Sequence, residues 1–270
     1  MQHTETKAVI TGGTHGLGFS IAERLIREGA QAVAFCGRDA EQGRVAEQDL
    51  RAYAASLPER EGTVNPEILY VQADLADPAQ ATGFVEKAID RFGTVNALVN
   101  NAGLPSRGTL LDTTVETWDL HMAVNLRAPF LTMQTFVRHL KDRGLPGTIV
   151  NVLSMVVHCG QSYLTPYSTS KGGLATLTKN VANAYVGDRI RCNGVLTGWM
   201  ETAGEAEIQK KYHGAGDDWA RKAAENLPMG QLVQPDQLAG LISYMLSPES
   251  GVMTGSLVDF DQVVAGAYPE

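Results

Sequence analysis

Tyr167 and Lys171 stand four residues apart in P-Y-S-T-S-K, and Ser154 lies thirteen residues before the tyrosine. A spacing of four puts two side chains on one helical face, a turn apart. An ammonium held beside a phenol favours the phenolate and lowers its pKa from a reference of ~10. Such a tyrosine can exchange a proton near neutral pH. A serine hydroxyl from a neighbouring strand can hold the oxygen being oxidised or reduced. With a hydride carrier alongside, these groups can interconvert a carbonyl and an alcohol.

A second set of residues, T-G-G-T-H-G-L-G at 11–18, lies between an apolar run and a helical pattern. Gly12, Gly16 and Gly18 are its spaced glycines. Glycine permits tight turns and lets the main chain approach a pyrophosphate closely. The start of the following helix offers free N–H groups and a partial positive charge to an anion. The spacing is G-x-x-x-G-x-G, not the usual G-x-G-x-x-G, so its place after a strand carries part of the argument.

Positioning these groups requires a scaffold, and strand-like runs alternate with helical patterns along the chain. Strands are predicted at 7–11, 32–36, 68–73, 95–100, 147–153, 189–196 and 256–260. Leu17, Ile21, Ala22, Leu25 and Ile26 recur at helical spacing, with Gly29 as a stop. Further helices are predicted over 39–56, 78–92 and 115–141, and another from Pro166, with Thr165 as N-cap and the proline in the first helical position. Residues 58–66 read as a polar loop longer than common. The alternation predicts an α/β fold, a doubly wound parallel sheet of about seven strands with helices on both faces. No linker, repeat or low-complexity tract divides the chain, so residues 1–270 are expected to form one domain. The polar segment 199–227 interrupts the alternation. It is predicted to be a lid over the crevice at the C-terminal strand ends. A surface helical hairpin without function is the alternative.

The composition, 44% hydrophobic and 19% charged, is that of a globular protein whose core needs no disulfide or structural metal. A net charge of -8 argues against nucleic acid or anionic membrane as a partner. Cys36, Cys159 and Cys192 are odd in number and lack C-x-x-C spacing, which fits reduced thiols in the cytoplasm. The histidines and cysteines show no metal-ligand spacing, so no metal is expected. The opening M-Q-H-T-E-T-K lacks the basic region of a signal peptide, and no 18-residue apolar window is present.

Taken together, the motifs resemble those of the short-chain dehydrogenase/reductase family over nearly the whole chain. They are T-G-x-x-x-G-x-G at 11–18, N-N-A-G at 100–103, Asn125 in M-A-V-N-L-R, Ser154, Y-x-x-x-K at 167–171, and a run near Gly198 similar to the family's P-G segment. The resemblance implies a Rossmann-type fold and gives the residues roles. Tyr167 becomes the general acid/base. Lys171 lowers the pKa of Tyr167 and holds the nicotinamide ribose. Ser154 orients the substrate oxygen, and Asn125 kinks the long helix and holds a water of the proton relay. The implied cofactor residues are Gly12, Thr14, His15, Gly16, Leu17 and Gly18, then Asp74 and Leu75, then Asn101, Ala102 and Gly103, and finally Gly198, Met200 and Thr202, with Tyr167 and Lys171. Asp74 would meet the adenine amino group, a cap or loop role being its alternative. Ser154, Tyr167, His158, Gln161 and Trp199 are the expected substrate residues. A homotetramer or homodimer through the long helix and the Tyr167 helix is implied as well. Trp118, Met122 and Phe130 on the long helix read as core or subunit packing.

The chain departs from the family pattern in two places. Thr197 stands where a proline usually precedes Gly198, and Asp259, Phe260, Asp261 and Gln262 replace the late D-G-G. Gly37 occupies the strand end where NAD-using relatives often carry an acid, and Arg38 follows it. An arginine fits a 2′-phosphate by charge and fork geometry, although Asp39 adds opposing charge. NADP is therefore the expected cofactor, with NAD left open. The substrate is expected to be a small carbonyl compound or secondary alcohol. One alternative is a sugar or polyol dehydrogenase of the same family, which the polar lid suits. Another is a non-catalytic dinucleotide-sensing binding protein, which the loss of a catalytic residue would favour; none is lost.

Overall fold

The strand sequences are apolar on both sides, a pattern that demands cover on both faces of a sheet. The structure is a computed structural model that describes residues 2–58 and 65–267. The predicted loop at 58–66 lies largely outside the described residues. The chain runs through β1 (Lys7–Ile10), α1 (Gly16–Arg27), β2 (Ala32–Gly37), α2 (Ala40–Ser56), β3 (Glu67–Gln72), α3 (Pro78–Phe92) and β4 (Ala97–Asn100). It continues through α4 (Val115–Met122), α5 (Ala128–Lys141), β5 (Gly147–Ser154), α6 (Thr165–Tyr185) and β6 (Ile190–Thr197). The last elements are α7 (Ala203–His213), α8 (Trp219–Ala224), α9 (Pro235–Leu246) and β7 (Leu257–Phe260).

The strands form one sheet in the order β3-β2-β1-β4-β5-β6-β7. All neighbouring strands are parallel. Period-two alternation sends Val9, Ala34, Leu98 and Ile149 to one face, against Phe84, Phe136, Leu140 and Leu174 of α3, α5 and α6. It sends Ile10, Phe35, Val99 and Val150 to the other, against Ile21, Leu25, Leu50 and Ile242 of α1, α2 and α9. The chain reverses its direction of travel across the sheet between β1 and β4. The carboxyl ends of those two strands therefore open a crevice at the switch point.

Three features differ from the sequence expectation or refine it. The long helix is continuous but not α-helical throughout, because a π turn at Ala123–Arg127 joins α4 to α5. Single π turns of this kind recur at functional sites. Thr165 is not the N-cap of α6: Leu164 holds that place and Pro166 lies in the second helical position. The entry is fixed instead by main-chain pairing, since Thr165 N donates to the Gly108 carbonyl at 3.0 Å and Gly108 N to the Tyr163 carbonyl at 2.9 Å. Beyond β6 the chain leaves the sheet and returns through a narrow neck. There Val233 N donates to Trp199 O at 2.9 Å and Glu201 N donates to Val233 O at 3.0 Å. The excursion beyond that neck holds α7 and α8 and a small core of its own, with Trp219, Ala223 and Leu232 buried together. Trp219 is thus a packing anchor for this excursion.

No helix among the described residues is long and apolar enough to cross a membrane. The same residues contain no group of three or more His, Cys, Asp or Glu able to hold a metal.

Candidate active site

The glycine loop is shaped by contacts that only glycine allows. Gly12 and Gly16 have φ of 65° and 56°, in the left-handed region that side chains disfavour. A Cβ on Gly18 would fall 2.2 Å from the Gly12 carbonyl oxygen, so this glycine seats α1 against the loop and does not line the crevice. Asn101 holds the loop from β4: its amide donates to Thr11 O at 3.0 Å and Gly12 O at 2.8 Å. In return, the Thr11 hydroxyl accepts from Asn101 N and Ala102 N, each at 3.0 Å. The Asn101 side chain is thus committed to shaping the loop.

A cleft of about 680 Å³ opens over these elements. Of the residues expected to hold a cofactor, Gly12, Thr14, His15, Gly16, Leu17, Arg38, Asp74, Leu75, Asn101, Ala102, Gly103 and Thr202 line it. Gln42, Leu104, Leu120 and Val124 line it too, and no motif marks them in the sequence. Gly198 and Met200 are not brought to its wall. Gly198 lies beneath Asp261, whose carboxylate a Cβ would meet at 2.2 Å. Met200 pairs with Val233 in the neck and packs on the core under α1 and α9. Thr202 caps α7, its hydroxyl accepting from Glu205 N at 3.1 Å, and its methyl would lie 3.6 Å from a Cβ on Gly16. Helix α7 therefore starts directly over the glycine loop.

At the end of β2 the Cβ of any residue replacing Gly37 would fall 2.5 Å from Thr14 Cγ2. An acid at this strand end would collide with the glycine loop as it stands. Arg38 is exposed on the cleft wall. Asp39 is turned into an N-cap for α2, accepting from Glu41 N and Gln42 N at 2.9 Å each. Asp74 is exposed on the cleft wall, and one of its oxygens accepts from Ala76 N at 3.0 Å.

The catalytic candidates gather where β5, α6 and the π turn meet. Ser154, at the last position of β5, is buried beside the Tyr167 phenol, and its hydroxyl accepts from Val156 N at 3.4 Å. Lys171 lies one turn along α6, 4% exposed, with Nζ donating to Val152 O at 2.8 Å and standing 5.8 Å from the Tyr167 ring centroid. A Cβ on Gly103, which lines the cleft, would be 3.5 Å from that Nζ, so the buried ammonium lies directly behind the cleft wall. Asn125, fully buried in the π turn, accepts from Leu104 N at 2.7 Å and donates to Leu104 O at 3.1 Å and Ser170 Oγ at 3.0 Å.

The electrostatics correct one expectation. The Tyr167 phenol is pushed above its ordinary pKa of 10.0, not below it. Burial is the largest cause; the Ser154 hydroxyl opposes it, Glu205 adds to it and Arg107 opposes it. The Lys171 ammonium is spent on a main-chain carbonyl, and burial lowers its own pKa from 10.5 to about 8. Desolvation outweighs the charge of a lysine that points past the ring.

His158 and Gln161 lie on the exposed segment after Ser154, and His158 Nε2 meets Asp259 Oδ1 on β7 at 2.8 Å. Trp199 is 41% exposed at the neck, its indole N–H donating to Glu205 Oε1 at 2.9 Å. None of the three is hydrogen-bonded to Ser154 or Tyr167. A separate groove of about 860 Å³ follows α4, the π turn and α5, lined by Leu120, Met122, Leu126 and Phe130, and it touches no catalytic candidate.

The family profile described as short chain dehydrogenase matches residues 6–213. The chain is 31% identical to the NADP-dependent (R)-specific alcohol dehydrogenase of Lentilactobacillus kefiri, over 97% of this chain and 95% of that enzyme. It is 32% identical to the L-rhamnose 1-dehydrogenase (NAD(P)(+)) of Azotobacter vinelandii, over 93% and 94%. Among solved structures, the NADPH-bound short chain oxidoreductase of Pseudomonas aeruginosa PAO1, described as containing an atypical catalytic centre, superposes with a TM-score of 0.86 at 28% identity. It covers 99% of each chain.

Proposed function

This chain belongs to the short-chain dehydrogenase/reductase family, and on that premise we propose that it interconverts a carbonyl and a secondary alcohol with NADP(H), Tyr167 acting as general acid/base. The observation that carries the reading is the gathering of Ser154, Tyr167 and buried Lys171 where β5 and α6 meet beside the glycine-loop cleft.

Glycine-loop residues Gly12, Thr14, His15, Gly16 and Leu17 would hold the cofactor pyrophosphate, with Asp74 and Leu75 on the adenine side. Lys171 would hold the nicotinamide ribose. The bound cofactor supplies a hydride to the carbonyl carbon or accepts one from the alcohol. Ser154 donates a hydrogen bond to the substrate oxygen. In reduction Tyr167 gives that oxygen its proton. A phenol raised in pKa by burial is neutral at pH 7, which is the form that reduction needs. The neutral phenol serves carbonyl reduction at neutral pH, and the phenolate that alcohol oxidation needs gains as the pH rises. The side chain of Asn125 fixes Leu104 and Ser170, so its part in the relay falls to the main chain of the π turn.

NADP(H) is favoured over NAD(H) because Arg38 lines the cleft next to a strand end with no room for an acid. The relatives whose names carry NADP or NADPH agree with this choice. We assign residues 1–270 to one domain and the excursion at 199–227 to a lid. We propose the oligomer expected for the family through the long helix and α6; the 43% and 44% exposure of Leu120 and Phe130 along an apolar groove on α4 and α5 supports it. A non-catalytic sensor would have no use for a serine, tyrosine and lysine brought together in this way.

Tyr167→Phe removes the transferable proton and keeps the ring. Turnover should fall by about 10²-fold or more while cofactor binding, followed by nicotinamide fluorescence, persists. Retained turnover in the folded variant would overturn the assignment.

A further inference from the structure

Two charged side chains converge beside the catalytic tyrosine from segments that also border the cofactor cleft. Leu104 and Thr202 line that cleft. Three residues beyond each, Arg107 and Glu205 face one another, with Arg107 Nη2 3.6 Å from Glu205 Oε1. Their side chains are only 15% and 17% exposed. Gly108, next to Arg107 in the chain, pairs with Tyr163 and Thr165 at the entry to α6, and this brings Arg107 to the helix that carries Tyr167.

Each group is held by neighbours. Arg107 lies over the Tyr163 ring, 5.5 Å from its centroid, and Nη1 donates to Pro105 O at 3.1 Å. Glu205 accepts through Oε1 from Trp199 Nε1 at 2.9 Å and from Gln209 Nε2 at 2.7 Å. At 3.6 Å the two are within ion-pair reach but beyond hydrogen-bond reach, so their charges offset one another while neither completes the other's hydrogen bonds. Among the described residues no hydrogen bond reaches Glu205 Oε2 or Arg107 Nη2.

Partly buried charges left in this state favour a ligand that completes them. An apolar ketone would desolvate both and pair neither. An anion would suit the guanidinium and be repelled by the carboxylate. A neutral molecule with neighbouring hydroxyls suits both, since a hydroxyl accepts from the arginine and donates to the carboxylate. We propose that Arg107 and Glu205 are the specificity-determining residues of this active site, selecting a neutral polyhydroxylated substrate of the aldose or polyol class. The inference rests on the carbonyl/alcohol reading above.

The test compares kcat/KM for a panel of aldohexoses and hexitols with kcat/KM for an apolar aryl ketone, using NADP(H) in the matching direction. Wild type should prefer the hydroxylated probes. In Glu205→Gln and Arg107→Met the ratio of hydroxylated to aryl probe should drop ten-fold or more, carried mainly by KM. Sites built to hydrogen-bond a substrate hydroxyl can reject its lack by as much as ~10⁴–10⁵-fold. Arg107→Lys should recover part of the ratio. Circular dichroism and NADPH titration establish that each variant is folded and binds cofactor. A ratio within two-fold of wild type in both variants overturns the inference, because a pair that only clasped the lid would lower both probes equally. Wild-type turnover of the aryl ketone with none of the hydroxylated probes overturns it too and leaves the carbonyl/alcohol reading standing. No turnover of either probe overturns both.

Discussion

Replacing Asn125 by alanine tests whether one side chain ties the π turn to the loop that carries Arg107. The fully buried Asn125 serves both main-chain groups of Leu104, at 2.7 and 3.1 Å, and the Ser170 hydroxyl at 3.0 Å. Ser170 keeps a partner after the change, because its hydroxyl also donates to Tyr167 O at 2.7 Å. The Leu104 N–H and C=O do not. A buried polar group left unsatisfied costs about 1–3 kcal/mol, so the pair sets a range of about 2–6 kcal/mol. Alanine leaves room for water, which brings the expectation to about 2–4 kcal/mol. The unfolding free energy should fall by that much, read as a lower urea midpoint with the m-value unchanged. Amide exchange at Leu104 should quicken as well, and kcat/KM should fall as the loop loosens. A loss under about 1 kcal/mol with Leu104 still protected would refute the reasoning. It would mean that the His121 contact to Ser106, at 3.2 Å, holds the loop instead.

Arg38→Ala should weaken NADP(H) by roughly 1.5–3 kcal/mol and NAD(H) far less, because only the former carries the 2′-phosphate; equal weakening in parallel titrations would show that Arg38 does not read it. Cys159 is exposed and Cys36 and Cys192 are buried, so a thiol reagent at pH 8 should label one cysteine in the native protein and three after unfolding, as counted by mass. Burial raises the Cys36 and Cys192 thiols from 9.0 to about 12. Below pH 9 this has no effect on stability; between 9 and 12 the unfolded chain gives up protons that the folded one retains, so stability falls as pH rises. A Cys36→Ala/Cys192→Ala variant should show a shallower decline in urea midpoint over that window. Hydrogen exchange across 199–227 should slow in the complex with NADP(H) and substrate, and unchanged protection would leave the segment as a structural insertion.

The strands and most helices were legible because both faces of the sheet are covered and the apolar periods are clean. Predicted strand ends at Asn100 and Phe260 are the observed ones, as are the ends of α3 at Pro78 and Phe92. The serine, tyrosine, lysine and glycine loop were legible because their chemistry lies in residue type and spacing. The π turn was not, since an extra residue in a helix is selected by what Asn125 bonds across the fold. The direction of the Tyr167 shift was unreadable for a related reason. A spacing of four places Lys171 near the ring, but only the packed structure shows its ammonium turned to Val152 O and the phenol desolvated. Met200 sits two residues from Thr202 yet faces the core, because the neck pairs it with Val233. Arg107 and Glu205 are separated by most of three strand–helix units, and the sheet topology brings them together.

The neck itself bears on how such a protein can diversify. Because Trp199, Glu201 and Val233 clasp one another where the excursion leaves and rejoins the sheet, the ends of that segment are fixed whatever lies between them. A loop whose ends are already joined changes length at slight entropic expense, about 0.6 kcal/mol for each doubling. Its satellite core of Trp219, Ala223 and Leu232 supplies its own cohesion. On the lid assignment proposed above, this excursion is in effect a cassette. It can be lengthened, shortened or exchanged for another while the glycine loop and the tyrosine stay in register, so new substrate preferences can arise without re-solving the fold.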